Sequence, residues 1–190
     1  IETPFFMPIA TYGAVKTQSS SEIKNLPSDI LLSNTYHLYI RPGIEVLKAA
    51  GGLHKFMNWN QIILTDSGGY QVYSLKGLRK IDNDGVTFQS HLDGSKHYFS
   101  PESVVDIQRI IGSDIMMMLD VCPPGDGNEK EWIKALELTT SWAKRAKKHF
   151  DNTKSIYKHT QIISPIVQGG TNLNLRKQSA LELMELNCDM

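Results

Sequence analysis

Short apolar runs alternate along the chain with stretches whose apolar residues recur at helical spacing. The runs are Phe5-Phe6-Met7-Pro8-Ile9-Ala10, Asp29-Ile30-Leu31-Leu32, Ile62-Ile63-Leu64-Thr65, Asp114-Ile115-Met116-Met117-Met118-Leu119 and residues 162–167. Each has the length of a buried strand and is too short to span a bilayer as a helix. Between them, Ser19-Ser20-Ser21-Glu22 offers caps for a short helix reaching Leu26, and a second helix over residues 44–50 stops at Gly51-Gly52. Ser100-Pro101-Glu102 opens another helix, with an N-cap, a first-position proline and an acidic first turn. Val104, Ile107 and Ile111 share one face of it, and Gly112 ends it. A long helix keeps Trp132, Leu136, Thr139, Ala143, Ala146 and Phe150 on one face. Glu129 and Glu131 lie in its first turn, and Lys144, Arg145, Lys147 and Lys148 are assigned to its last, where they suit the macrodipole. A further helix is predicted over residues 175–186.

The rhythm breaks once. Val86, Phe88 and Ser90 alternate with polar neighbours, the chain turns at Asp93-Gly94, and it returns as His97-Tyr98-Phe99. Alternation about an Asp-Gly turn predicts an antiparallel hairpin inserted after the third run. Elsewhere strand and helix alternate, which predicts parallel βα units joined by right-handed crossovers. The carboxyl ends of the five runs carry Thr11, Asn34, Asp66, Asp120 and Gln168. Both a (β/α)8 barrel and an open doubly wound sheet gather such residues around one cleft. No GxGxxG or Walker loop follows any run, which favours the barrel. A complete barrel has eight strands and roughly 250 residues, so residues 1–190 are expected to be an incomplete TIM-barrel catalytic domain of about five βα units.

Composition adds bounds. The chain has 190 residues, 41% apolar and 21% charged, as in an ordinary globular domain. Its 20 basic and 20 acidic side chains cancel, so no overall attraction to nucleic acid is announced, although a local basic patch remains open. The basic cluster near the end of the long helix reads first as dipole compensation. Two distant cysteines, Cys122 and Cys188, with no secretion signal, read as reduced thiols of a cytoplasmic protein. The start lacks an initiator methionine and the end continues a helical pattern, so both ends read as cut. No HExxH, CxxC or other closely spaced ligand set occurs, and a metal site inside the chain is not expected.

The candidate chemistry centres on Leu64-Thr65-Asp66-Ser67-Gly68-Gly69-Tyr70-Gln71. A buried strand stops there and presents a carboxylate, a hydroxyl and two approachable backbone amides. Asp66 can serve as acid, base or acceptor, and Tyr70 as a stacking face. The same residues also fit a tight turn after a core strand.

Taken together, several stretches resemble the tRNA-guanine transglycosylase family: Asn34-Thr35-Tyr36-His37-Leu38, Arg41-Pro42-Gly43, Gly51-Gly52-Leu53-His54, Phe56-Met57-Asn58-Trp59, residues 64–72, Ser90-His91-Leu92-Asp93-Gly94, Gly112-Ser113-Asp114 and Val167-Gln168-Gly169-Gly170. The resemblance implies a TIM-barrel pentosyltransferase that exchanges a guanine of the tRNA anticodon for a queuosine precursor. It implies Asp66 as acid/base, Ser67, Gly68, Gly69 and Tyr70 as the loop over the base, and Asp120 with Gln168 as the base-recognition pair. Cys122 beside Asp120 is similar to the bacterial branch, which takes preQ1, although Val121 and Pro123 replace its usual Glu and Thr, and Thr11-Tyr12-Gly13 replaces a commoner Thr-Gln-Gly. The family's nucleophilic aspartate and its C-x-C-x-x-C structural zinc site are not in the sequence and are expected in a missing part. A homodimer in the full-length protein and no membrane association are also implied. The alternative is a non-catalytic tRNA-binding accessory homologue of the same fold.

Overall fold

Ile30–Ser33 (β1) and Ile62–Thr65 (β2) pair in parallel, with Ile30 opposite Ile62 and Ser33 opposite Thr65. Ile115–Met117 (β6) joins the far edge of β2, and Ile162–Ser164 (β7) joins β6, both in parallel. The four-stranded sheet therefore runs β1-β2-β6-β7. This computed structural model describes residues 3–75 and 77–188. The first apolar run contributes a single parallel bridge, Ile9 to Leu32, in place of the expected strand. Pro8 explains the shortness. It has no N–H to give, so the contact consists of Leu32 N donating to the Pro8 carbonyl at 2.9 Å and Ala10 N donating to the Leu32 carbonyl at 2.6 Å.

Helices occupy the crossovers. Ser20–Lys24 (α1) starts at a capping box between Ser19 and Glu22. Thr35–Leu38 (α2) follows β1 directly and passes through a π-helical turn, Tyr39–Gly43, into Ile44–Ala50 (α3). Gly51, with φ +84°, ends α3, and Leu53–Met57 (α4) precedes β2. Sequence periodicity does not reveal α2 or α4, because one turn of helix is too short to repeat a pattern. Gly69–Ser74 (α5) follows β2.

The predicted hairpin is Val86–Gln89 (β4) with Lys96–Phe99 (β5), and Val86 faces Phe99. A third strand, Arg79–Ile81 (β3), pairs antiparallel with β4. Its two basic side chains hid it from a hydrophobic pattern. Phe88 and Phe99 are buried and meet edge to face at 4.9 Å, and their ring contacts with Tyr36 and Tyr39 fasten this small sheet to the main core.

Pro101–Ile111 (α6) begins at Ser100 and ends at Gly112 as expected. Beneath the sheet, its fully buried Gln108 accepts from Thr65 Oγ1 at 2.7 Å and donates to the Met117 carbonyl at 2.9 Å. These bonds tie α6 to both β2 and β6, and they satisfy polar groups that would be costly to bury alone. Glu129–Asn152 (α7) opens with a reciprocal cap between Asn128 and Glu131. The basic cluster needs correcting: α7 continues to Asn152, so Lys144, Arg145, Lys147 and Lys148 all lie before its last turn, whose basic residue is His149. Arg145 instead forms a two-pronged pair with Glu102 at 2.8 and 2.9 Å, joining α7 to α6. The buried face of α7 carries Leu136, Thr139, Ala143 and Ala146 as expected and also Trp142, whereas Trp132 and Phe150 are half-buried. Leu173–Met184 (α8) starts two residues earlier than predicted, capped by Asn172. Among the described residues, no helix is long and apolar enough to cross a membrane.

Candidate active site

Of the residues singled out at the strand ends, Asn34, Asp66, Asp120 and Gln168 converge, whereas among the described residues no hydrogen bond joins Thr11 to them. β2 ends at Thr65, and Asp66 turns back toward the segment leaving β1. Its carboxylate accepts from the side-chain amide of Asn34, from Thr35 N at 2.9 Å and from Gly68 N at 3.1 Å. Thr35 Oγ1 donates to the Asp66 carbonyl at 2.6 Å. Neighbouring segments therefore hold Asp66 from several sides. The sequence placed Asn34 at a strand end without a role; its part in holding Asp66 depends on β1 lying beside β2, which only the fold supplies.

Ser67 is buried and links the two carboxylates' surroundings. Its hydroxyl donates to Asp120 Oδ1 at 2.8 Å and accepts from Gly69 N at 3.0 Å. The other oxygen of Asp120 accepts from Gln168 Nε2 at 2.9 Å. Gln168 is buried, and its backbone N–H donates to Ser179 Oγ on α8 at 3.0 Å. Asp120, Ser67 and Gln168 thus form one connected group at the carboxyl ends of β2, β6 and β7.

Two glycines are required here for different reasons. Gly68 has φ +79°, a conformation that side chains disfavour, and it lets the chain turn into α5. At Gly69 the obstacle is space: a Cβ would lie 2.5 Å from Asp120 Oδ1 and 2.8 Å from the Asp120 carbonyl. Tyr70, next along, is 65% exposed and lacks a ring partner among the described contacts, so its face is free to meet a planar ligand.

Electrostatics sharpen the picture. Burial pushes the Asp66 carboxyl above the ordinary aspartate range, against the opposing pull of the bonds from Asn34, Thr35 and Gly68. Burial raises Asp120 likewise. The Ser67 and Gln168 bonds oppose that rise, and the neighbouring charge of Asp66 adds to it. His37 lies close enough to feel Asp66 and is held below the usual imidazole range, first by burial and then by His91. The Tyr36 hydroxyl and His91 Nδ1 are 2.7 Å apart, which anchors the hairpin turn beside this mouth.

Val121 and Cys122 lie along a cavity of about 580 Å³ that Tyr73, Arg79, Pro123 and Leu138 also line. Val121 packs against the main core, and its N–H donates to Thr139 Oγ1 at 3.0 Å. Burial pushes the Cys122 thiol up, and Asp120 adds to the shift. After Gln168, Gly170 packs closely on α7: a Cβ there would lie 2.4 Å from the Trp132 ring.

The whole chain, residues 1–190, matches the family described as queuine tRNA-ribosyltransferase. The chain belongs to that family. A queuine tRNA-ribosyltransferase of Thermoanaerobacter pseudethanolicus is 51% identical over 187 residues, covering 98% of this chain and 48% of the relative. One from Solidesulfovibrio magneticus is 52% identical over 190 residues, covering all of this chain and 50% of the relative. One from Bacillus licheniformis is 50% identical over 186 residues. The chain spans about half the length of the curated relatives it matches. Family membership agrees with the resemblance carried by the motif set, and the α/β architecture with a separate antiparallel sheet agrees with the expected fold class at that level.

Proposed function

We propose that the full-length protein is a tRNA-guanine transglycosylase that exchanges the wobble guanine of the anticodon for preQ1, acting in the cytoplasm. The observation that carries this reading is the Asp120 carboxylate. Ser67 and Gln168 hold it at the strand ends, beside the bare backbone of Gly68-Gly69 and the exposed ring of Tyr70. A purine-like base offers N–H donors along one edge and carbonyl and ring-nitrogen acceptors along others. Asp120 accepts from the donors, the Gln168 amide serves an acceptor, and Tyr70 covers the face. Asp66, whose carboxyl burial pushes above the ordinary aspartate range, is suited to give and take a proton at the base.

In this reading a carboxylate outside residues 1–190 attacks the anomeric carbon, the glycosidic C–N bond breaks, and guanine leaves with a proton given by Asp66. Asp66 then takes a proton from the entering base, which displaces the enzyme carboxylate from the ribose. The two displacements parallel a retaining glycosidase. The sheet supports a partial barrel, since each strand is added on the same side, in parallel and without reversal of direction. The resemblance alone implies the homodimer and the structural zinc. With only Cys122 and Cys188, this segment does not supply the thiolate set of that zinc, and no step is routed through it. An accessory, non-catalytic role has no observation in its favour, because Asp66 and Asp120 are both present and both embedded in hydrogen bonds.

Calorimetry of the full-length protein with guanine tests the proposal. A charge-assisted hydrogen bond contributes about 1.5–3 kcal/mol, so Asp120→Asn is expected to weaken base binding by roughly tenfold to a hundredfold and tRNA binding by less. Unchanged affinity for the base would remove Asp120 from the pocket.

A further inference from the structure

At the opposite end of the sheet, three segments entering the strands bring His54, Asp114 and His159 together. His54 belongs to α4, ahead of β2. Asp114 immediately precedes β6, and His159 lies three residues before β7. One donor atom from each lies within 4.8 Å of the others. They are separated by 60 and 45 positions in the sequence, so no spacing motif could have announced them.

The second nitrogen of each imidazole is already assigned. His54 Nδ1 lies 2.9 Å from the Trp59 carbonyl, and a carbonyl can only accept, so Nδ1 carries a hydrogen and Nε2 faces Asp114 Oδ2 at 3.0 Å. His159 Nε2 lies 3.0 Å from the Gly112 carbonyl and donates to it, which leaves Nδ1 with a lone pair. A backbone carbonyl that fixes the tautomer and frees the other ring nitrogen is the outer-shell arrangement typical of metal-bound histidines. Asp114 is held just as firmly. Its Oδ2 accepts from Ile63 N at 2.8 Å, and its backbone bonds to both Ile63 and Ile162. Tyr157 lies parallel to the His159 ring at 6.1 Å and anchors its own hydroxyl on the Ile110 carbonyl.

We propose that His54 Nε2, Asp114 Oδ2 and His159 Nδ1 form a binding site for a divalent cation of the zinc class. Two imidazoles and one carboxylate are a ligand set that suits zinc, with water in the remaining position. Ligand atoms about 2.0–2.1 Å from a tetrahedral metal lie roughly 3.3 Å apart. The His54–Asp114 pair already has about that separation, and a ring nitrogen of His159 lies within 4.8 Å of the donor atoms of both. The cluster opens on a cavity of about 710 Å³, which leaves room for a water or an anion. Exposed Lys55 and Lys158 also line that cavity, and they favour an anionic ligand in the open position. In the absence of the cation, His54 and Asp114 form an ion pair at the same place, and the metal replaces the proton on Nε2. The cation ties together the entrances to β2, β6 and β7, and no thiolate takes part.

The test uses the full-length protein, stripped of metal by chelation and titrated with zinc or cobalt(II), beside His159→Gln. The glutamine keeps an N–H donor for the Gly112 carbonyl and lacks the imidazole. The wild type is expected to take up one more equivalent than the variant, and zinc is expected to raise its melting temperature further. Cobalt in that extra site should absorb in the visible region without a thiolate charge-transfer band. Should the variant fold poorly, X-ray absorption of cobalt added to the wild type decides the matter: a second population with imidazole and oxygen neighbours is expected. Equal metal uptake by both proteins, or a wild-type spectrum with sulfur ligation alone, would overturn the site and leave a plain ion pair.

Discussion

Asp120 makes sense residue by residue only when its neighbours are counted. A carboxyl whose pKa is higher in the folded than in the unfolded state binds its proton more tightly when native. The stability it contributes is full below the unfolded pKa and is lost as pH rises through the folded one. Burial raises both Asp120 and Asp66, so charge in this mouth opposes folding at neutral pH. Asp120→Asn is therefore predicted to raise the melting temperature near neutral pH, with the difference from wild type closing as pH falls toward about 4, the ordinary aspartate value. Scanning calorimetry across that range checks this, and a variant less stable at every pH would contradict it. Gly69 gives a second prediction. A methyl group 2.5 Å from Asp120 Oδ1 must displace the carboxylate from Ser67, so Gly69→Ala is expected to lower affinity for guanine by at least about tenfold, or about 1.4 kcal/mol. Calorimetry that found wild-type affinity would show that this close approach is not needed. Asp66, Ser67 and the glycines were legible because they are contiguous. The part that Asn34 and Thr35 play in holding Asp66, and the His54 cluster, were not, because the partners lie 31 to 60 positions away and meet only through strand pairing.

At the scale of elements, local signals were legible where they are encoded by neighbours in sequence. Ser100-Pro101 and Gly112 bound α6 as predicted, and Asp93-Gly94 turns the hairpin between β4 and β5. Losing the Ser100 cap should cost about 1 kcal/mol, within the usual range of 0.5–2. Urea unfolding of Ser100→Ala is expected to show that loss, and no change would mean that Ser103, which donates to the Ser100 carbonyl, stabilises the first turn unaided. The elements that pattern missed share one physical trait. α2, α4 and α5 span four, five and six residues, and β3 is three residues with two basic side chains, so none repeats an apolar period. The reverse failure occurred at residues 5–10, where apolar content suggested a strand and Pro8 limited it to one bridge. The end of α7 was misjudged because the basic cluster was assigned to dipole compensation, whereas Arg145 is used for tertiary pairing with Glu102.

For the whole molecule, the parallel order β1-β2-β6-β7 places the strand-end residues on one rim and the His54 cluster on the other, which separates the proposed chemistry from the proposed cation site. β7 has no strand on its outer side among the described residues, and an open edge of a parallel sheet invites self-association. Residues 1–190 expressed by themselves are expected to sediment as oligomers or aggregates and to leave labelled guanine out of tRNA. A monodisperse, active segment would contradict that expectation. The measurement that bears most directly on the proposed chemistry is guanine exchange by the full-length protein, followed as incorporation of labelled guanine into tRNA, for wild type and Asp66→Asn. Loss of a general acid/base costs about 100-fold or more. At least that decrease is expected in an Asp66→Asn protein that remains folded and still binds the base; exchange at the wild-type rate would contradict the role of Asp66.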